Sequence, residues 1–343
     1  MSQPEPRFLA LSHWLQDCLQ QPVDIELISG DASFRRYYRV LTAKHHFILM
    51  DSPPTLLPIE PFLAIAKAYA KAGIFVPEVV AYDVPLGAVL LSDLGDEQLL
   101  SALTLDSAPH FYQQALDWLP AVAKVKSCIS ISAGDKESVQ SLPCFDADFI
   151  DRELAIFREW FIGRHLDLSL SETEQQMVAQ VFAQISDVML QQPQIGMHRD
   201  FHSRNLMIVD KRLAVIDFQD AVIGPLTYDC VSLLKDCYVR WPDTLVERMS
   251  QYHYQQCIQH SLLSPEVDYA TYEYWFDVTG LQRHLKVLGI FCRLNYRDNK
   301  PAYMADIPLT LSYIQQVTQK YAQFHQFHHW MQQRVVPVWE ARL

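Results

Sequence analysis

The sequence predicts an α+β chain of two lobes: a small antiparallel β-sheet with one packed helix, then a larger, mainly helical lobe. Three observations predict it. Before about residue 95, short aromatic and aliphatic runs alternate with turn clusters, as in the strands of an antiparallel sheet. After Gly95, apolar residues recur every three or four positions, the period of a buried helix face. Between about 196 and 220 that period gives way to two short strand-like runs. The expected division is a first lobe at 1–95 and a second at 96–343.

In order along the first lobe, residues 1–20 carry a helical pattern with Glu5 and Asp17 and no basic leading segment, which argues against a secretory signal. VDIELI (23–28), RRYYRVL (35–41) and HHFILMD (45–51) read as three antiparallel strands. Ser29-Gly30-Asp31 turns between the first two, and Pro53-Pro54 ends the third. PFLAIAKAYAKAG (61–73) has helical spacing and stops at Gly73. VVAYDV and GAVLLSD form a further hairpin around Pro85-Leu86, ending near Asp93. In the second lobe, 106–125, 146–163 and 171–190 are helical, and Ser171 with Glu174 makes a capping box for the last. LMIVD and LAVID are strands around a Lys211-Arg212 turn, and helical signals resume from Tyr228 to about Trp330.

Composition narrows the class of function. Of the 343 residues, 50% are apolar and 20% charged, which excludes disorder. The 28 basic and 40 acidic residues leave a net charge of -12, which argues against nucleic acid or an anionic membrane as partner. No apolar run approaches the ~18 residues that cross a bilayer. Seven scattered cysteines without a CxxC favour a reducing compartment, so a cytoplasmic protein is expected.

His198-Arg199-Asp200-Phe201-His202-Ser203-Arg204-Asn205 is the most informative stretch. It has the spacing H-R-D-x-x-x-x-N, and Asp217-Phe218 follows. Phosphoryl transfer needs a carboxylate at the acceptor hydroxyl and oxygen ligands for magnesium on the nucleotide phosphates. Asp200 suits the first role; Asn205 and Asp217 suit the second. The stretch resembles the kinase-like phosphotransferases, and the aminoglycoside phosphotransferase superfamily more than the protein kinases. Gln219 stands where D-F-G has its glycine, and GPLTYD precedes a helix. The resemblance implies a bilobal protein-kinase-like fold, ATP and Mg2+ as cofactors, and a structural Asp229 bonded to the backbone of the catalytic loop. GDASFRRYYRV, MDSPP, LLSDLG, HRDFHSRNLM, LLKDCY and GLQRHLKVLGIFCRLNYRD are similar to bacterial cell-wall amino-sugar kinases. Those enzymes phosphorylate the anomeric hydroxyl of N-acetylmuramate and N-acetylglucosamine in peptidoglycan recycling, which implies an amino-sugar substrate here.

The nucleotide lobe departs from the general kinase pattern twice. Its phosphate loop holds one glycine, Gly30, with Ser33 offering a hydroxyl and N–H groups. The third strand has Met50 or its neighbours where kinases present a phosphate-pairing lysine. Arg35 or Arg36, or Arg204 in the catalytic loop, could supply that charge. Glu60 at the start of the helix suits its N-terminal dipole, and Asp93 sits at the hinge where kinases hold the adenine.

Other residues have plainer readings. His325, His328 and His329 share helical spacing without a partner acid or thiol, as a solvated face would. Cys230 and Cys237, seven apart on one helix, read as core thiols, and Trp241-Pro242 as a helix break with a packing tryptophan. Arg283, Lys286, Arg293 and Arg297 fall on one helical sector opposite Leu281, Leu285, Leu288 and Cys292. This basic stripe is either a solvated helix face or a contact for an anionic acceptor, and its first three members join His202 and Arg204 as candidate substrate contacts. The expected activity is anomeric phosphorylation of an N-acetylated amino sugar. The alternatives are an aminoglycoside or other small-alcohol phosphotransferase, and a non-catalytic nucleotide-binding pseudokinase, which Met50 favours.

Overall fold

The structure is a computed structural model, and it describes residues 6–29, 35–132 and 136–342. In chain order the elements begin with α1 (Pro6–Leu19), β1 (Asp24–Ser29), β2 (Arg36–Leu41), β3 (His46–Asp51), α2 (Glu60–Lys71), β4 (Val79–Asp83) and β5 (Ala88–Ser92). Next come α3 (Leu99–Ala102), α4 (Ala108–Lys124), β6 (Ser127–Ser132), β7 (Lys136–Ser141), α5 (Ala147–Ile156), a π-helix over Phe157–His165, and α6 (Glu172–Gln191). Then follow β8 (Gln194–Met197), β9 (Leu206–Val209), β10 (Arg212–Val215), β11 (Val222–Pro225), α7 (Tyr228–Leu234) and α8 (Asp243–Gln259). The last are α9 (Tyr269–Asp298), α10 (Ile307–Lys320), α11 (His325–Trp330) and α12 (Val336–Glu340).

These elements form two compact units. A sheet unit holds the chain up to Glu97 together with Ser127–Ser141 and Met207–Gln219. A helical unit holds Gln98–Lys126, Leu142–Leu206 and the chain from Asp220 onward.

The sheet unit is built on five antiparallel strands in the order β1-β2-β3-β5-β4. Period-two alternation puts Tyr38 and Val40 on one face with Leu49 and Leu90, and Leu11 and Leu15 of α1 close over them. α2 buries Phe62, Ile65 and Tyr69. Phe62 stacks on Phe218 at 5.0 Å between centroids, and Tyr69 lies 5.7 Å from the same ring. The β9–β10 hairpin turns at Asp210 (φ 49°) and Lys211 (φ 64°), both left-handed, the conformation that suits a tight hairpin. The turn therefore comes one residue before the Lys211-Arg212 pair that the sequence suggests. Met207 and Ala214 of this hairpin form a small core with Leu94. The β6–β7 hairpin has no counterpart among the sequence expectations. Its first strand, SCISIS, alternates in strand fashion but lacks the aromatic and aliphatic density of the others.

In the helical unit, α6 starts on the expected capping box. Glu174 accepts from Ser171 N at 2.7 Å, and Ser171 Oγ accepts from Glu174 N at 3.3 Å. α9 is the central element, and every residue from Phe276 to Gly289 on it is buried. The helix is thus not amphipathic in this stretch, and Arg283 and Lys286 do not sit on a solvated face. A helix covered on all sides must satisfy its charges internally. Gly289 allows the close approach: a Cβ there would lie 2.4 Å from the Ile156 carbonyl oxygen, where α5 passes into the π-helix. β8 and β11 pair antiparallel, with Met197 opposite Val222. Cys230 lies on α7, but Cys237 lies beyond its end; both are buried free thiols. Trp241 packs edge-on against Tyr112 and donates from Nε1 to its hydroxyl at 2.6 Å. His325 Nε2 meets the Gln319 carbonyl and His328 Nδ1 the Thr318 hydroxyl, each at 3.0 Å.

Candidate active site

The loop from His198 to Asn205 links β8 to β9, and three carboxylates of the helical unit shape it. Asp229, in the first turn of α7, accepts from the backbone N–H groups of His198 at 2.6 Å and Arg199 at 2.9 Å. That clamp holds Arg199 at φ 79°, a left-handed conformation costly for a side chain of its size. Burial raises the Asp229 carboxyl to about 6, and the His198 charge and the two backbone bonds hold it no higher. Asp236 takes the next turn, accepting from Ser203 N at 3.0 Å and Ser203 Oγ at 2.5 Å through Oδ2. Asn205 closes the loop on itself, its Nδ2 donating to the Asp200 carbonyl at 3.0 Å.

Glu153 of α5 is the third carboxylate. It accepts from Arg199 Nη2 at 2.8 Å and from Gln282 Nε2 at 2.9 Å, and it lies 3.5 Å from Lys286 Nζ. Lys286 also donates to the Tyr228 hydroxyl at 2.9 Å. These pairings place cations around Asp200. Burial pushes the Asp200 carboxyl up, but the charges of Lys286, His202, Arg199 and Arg283 overcome it and hold the group well below the usual carboxylate range. Asp200 is therefore a firmly ionised carboxylate in a basic surround.

The structure brings several of the sequence candidates together here. His202 meets the Tyr238 ring edge-on at 5.5 Å, and the Arg204 guanidinium lies 3.7 Å from the centroid of the same ring. Arg283 and Lys286 act on Asp200, as described. Arg293 does not join them: its neighbours are Arg297, Asp298 and Glu159, and burial, then the Arg297 charge, lowers it. Glu153 and Asp236 escape the sequence reading. Asp236 lies within LLKDCY, but no spacing rule ties either carboxylate to a loop far away in sequence.

The sheet unit holds the remaining candidates. Asp217 has φ 62° and accepts from Gln219 Nε2 at 2.7 Å, and its neighbour Phe218 is anchored on α2. Met50 is fully buried in β3. Arg35 is 8% exposed and donates from Nε to Ser52 Oγ at 3.3 Å. Arg36 pairs with buried Asp51 at 2.9 Å, which Arg7 also binds. Asp93 binds Arg39 at 2.7 Å and accepts from Gly95 N at 2.8 Å, so its carboxylate is engaged within the unit. Gly30 and Ser33 lie outside the described residues.

Comparison with known proteins gives a consistent result. The family described as "Phosphotransferase enzyme family" matches residues 24–259. A Pseudomonas putida protein named N-acetylmuramate/N-acetylglucosamine kinase is 37% identical over 289 residues, covering 84% of this chain and 82% of that protein. Proteins of the same name from Pseudomonas aeruginosa and Neisseria meningitidis are 35% and 34% identical, with 91% and 92% of this chain covered and 92% of each of theirs. Among solved structures, an ADP-bound aminoglycoside phosphotransferase superposes with a TM-score of 0.59 at 13% identity, over 89% of this chain and 97% of that one. A Plasmodium vivax ethanolamine kinase gives 0.60 at 11%, over 88% and 86%. Those two likenesses establish the kinase-like fold. With the family match spanning most of the chain and relatives more than a third identical along it, this protein belongs to the phosphotransferase enzyme family.

Proposed function

We propose that this chain is an ATP-dependent kinase that transfers the γ-phosphate to the anomeric hydroxyl of N-acetylmuramate and N-acetylglucosamine. The observation that carries the substrate is the shared name of relatives that match more than four-fifths of both chains. Asp200 supports the chemistry. An ionised carboxylate can accept the hydrogen bond of the acceptor hydroxyl and align its oxygen with the phosphorus. Asn205 and Asp217 carry carboxamide and carboxylate oxygens of the kind that magnesium takes, and they are the residues that would hold it. Magnesium bound with the nucleotide supplies charge neutralisation at the phosphates.

Gly30 and Ser33 are the proposed phosphate-loop contacts. Arg35, steadied by Ser52, is the proposed cation in place of a strand lysine. At Asp93 the proposed nucleotide contact is through the backbone, since Arg39 engages the carboxylate. His202 and Arg204 flank the acceptor. Met50 favours a second reading, a nucleotide-binding protein without transfer. Coupled ADP release over a panel of amino sugars and aminoglycosides separates the readings. Release that depends on the two sugars is expected, release that depends on aminoglycosides moves the substrate, and bound nucleotide without release selects the second reading.

A further inference from the structure

Arg283 is 3% exposed on α9, yet its guanidinium is poorly satisfied. Nη1 donates to Cys237 Sγ at 3.3 Å. Among the described residues, Nε has no hydrogen-bond partner and the side chain forms no ion pair. Arg199 Nε is unpartnered as well, and the neighbouring cations differ in having a carboxylate bonded to them. Arg199 and Lys286 both reach Glu153, and Lys286 has the Tyr228 hydroxyl as well. The charges of Asp236 and Asp200 favour the guanidinium, but Asp236 spends its hydrogen bonds on Ser203 and on Tyr238 N and makes none to Arg283.

The position is informative too. Cys237 follows Asp236, the carboxylate that clamps the catalytic loop, and Arg283 carries charge within reach of Asp200. A buried guanidinium with no carboxylate hydrogen-bonded to it is costly to keep. Its planar fork is matched to a carboxylate in particular. The two sugars in the relatives' name differ by one lactyl ether, which bears a carboxylate on N-acetylmuramate alone. We infer that Arg283 is an anion subsite that receives the lactyl carboxylate while the anomeric hydroxyl rests at Asp200, and so sets the preference between acidic and neutral sugar. Lys286 is committed to Glu153 and Tyr228, and Arg293 belongs to another cluster.

The inference rests on the proposed sugar kinase activity, and its test keeps the two apart. The first comparison alters the substrate only: kcat/KM of the unmodified protein for N-acetylmuramate, for its lactyl amide, and for N-acetylglucosamine, at saturating ATP and constant ionic strength. The amide is expected to lose about ten- to hundredfold relative to the acid, the range of a charge-assisted hydrogen bond. Equal rates for acid and amide overturn the subsite. Transfer to none of the three sugars instead overturns the kinase reading. The second comparison uses Arg283→Gln and Arg283→Lys and reads the acid-to-neutral ratio of kcat/KM, in which any common loss through Asp200 cancels. The ratio is expected to fall about tenfold or more with Gln and less with Lys. An unchanged ratio in both variants assigns Arg283 to the charge of Asp200 and ends the inference.

Discussion

Asp200 is held so firmly in its charged form that it is a weak base before reaction begins. Four surrounding cations outweigh its burial, so in the proposed reaction it would orient the hydroxyl first and take the proton only once bond formation to phosphorus has made the oxygen acidic. Asp200→Asn keeps the shape and loses the charge. It is expected to lower kcat by about 10²–10⁴ and leave nucleotide affinity in place, measured by steady-state kinetics beside calorimetric titration of the nucleotide. An unchanged kcat would remove Asp200 from the mechanism. Glu153 acts one step further out, as the counter-charge that lets Arg199 and Lys286 stay near Asp200. Glu153→Gln strands both cations and is expected to cost about 3–5 kcal/mol, the usual loss when one member of a buried pair is removed. Adding Lys286→Met takes away one stranded charge and should recover part of the loss in denaturant titrations. A double variant no more stable than the single would show that the pairing contributes nothing.

At the scale of elements, α9 carries candidate site residues and a pH dependence. His284 is fully buried on it, stacked on Tyr313 at 4.7 Å and donating from Nε2 to the Lys235 carbonyl at 2.9 Å. Burial, then the charge of Arg283, pushes this histidine down to about 3. The unfolded chain takes up a proton near the ordinary histidine value of about 6.5, and the folded chain does not. His284 therefore contributes its full stability above that pH and loses it as pH falls toward 3. His284→Gln keeps a donor for the carbonyl and removes the titration. It is expected to flatten stability against pH between about 6 and 4 by about 1.4 kcal/mol per pH unit. Parallel curves for the two proteins in denaturant titrations at stepped pH would refute the assignment. The same helix shows where periodicity misleads. Its leucines and cations fall on opposite sectors, which reads as half-solvated, but over Phe276–Gly289 the surrounding helices cover both, and Arg297 beyond that stretch is exposed. Charges enclosed by partners distant in sequence look the same, in one dimension, as charges facing water.

For the molecule as a whole, the sequence was legible where structure is local. The five strands, the α6 capping box and the Asp200–Asn205 spacing all follow from residues a few positions apart. Glu153, Asp236 and the β6–β7 hairpin were not legible, because their value comes from contacts that no short window contains. The division into units adds a consequence of its own. The chain enters the sheet unit three separate times, so the order of synthesis matters. Leu94 finds its core partners Met207 and Ala214 only 113 residues later (207 minus 94). At a translation rate of about 5–20 residues per second, that is a wait of about 6–23 seconds with apolar surface uncovered. Arrested nascent chains should therefore gain protease resistance in this unit only after Gln219 has left the ribosome. Resistance already complete in chains arrested soon after Glu97 would mean that the strands stand without their late arrivals. On that expectation the first hundred residues would be a client for chaperones until the last hairpin emerges.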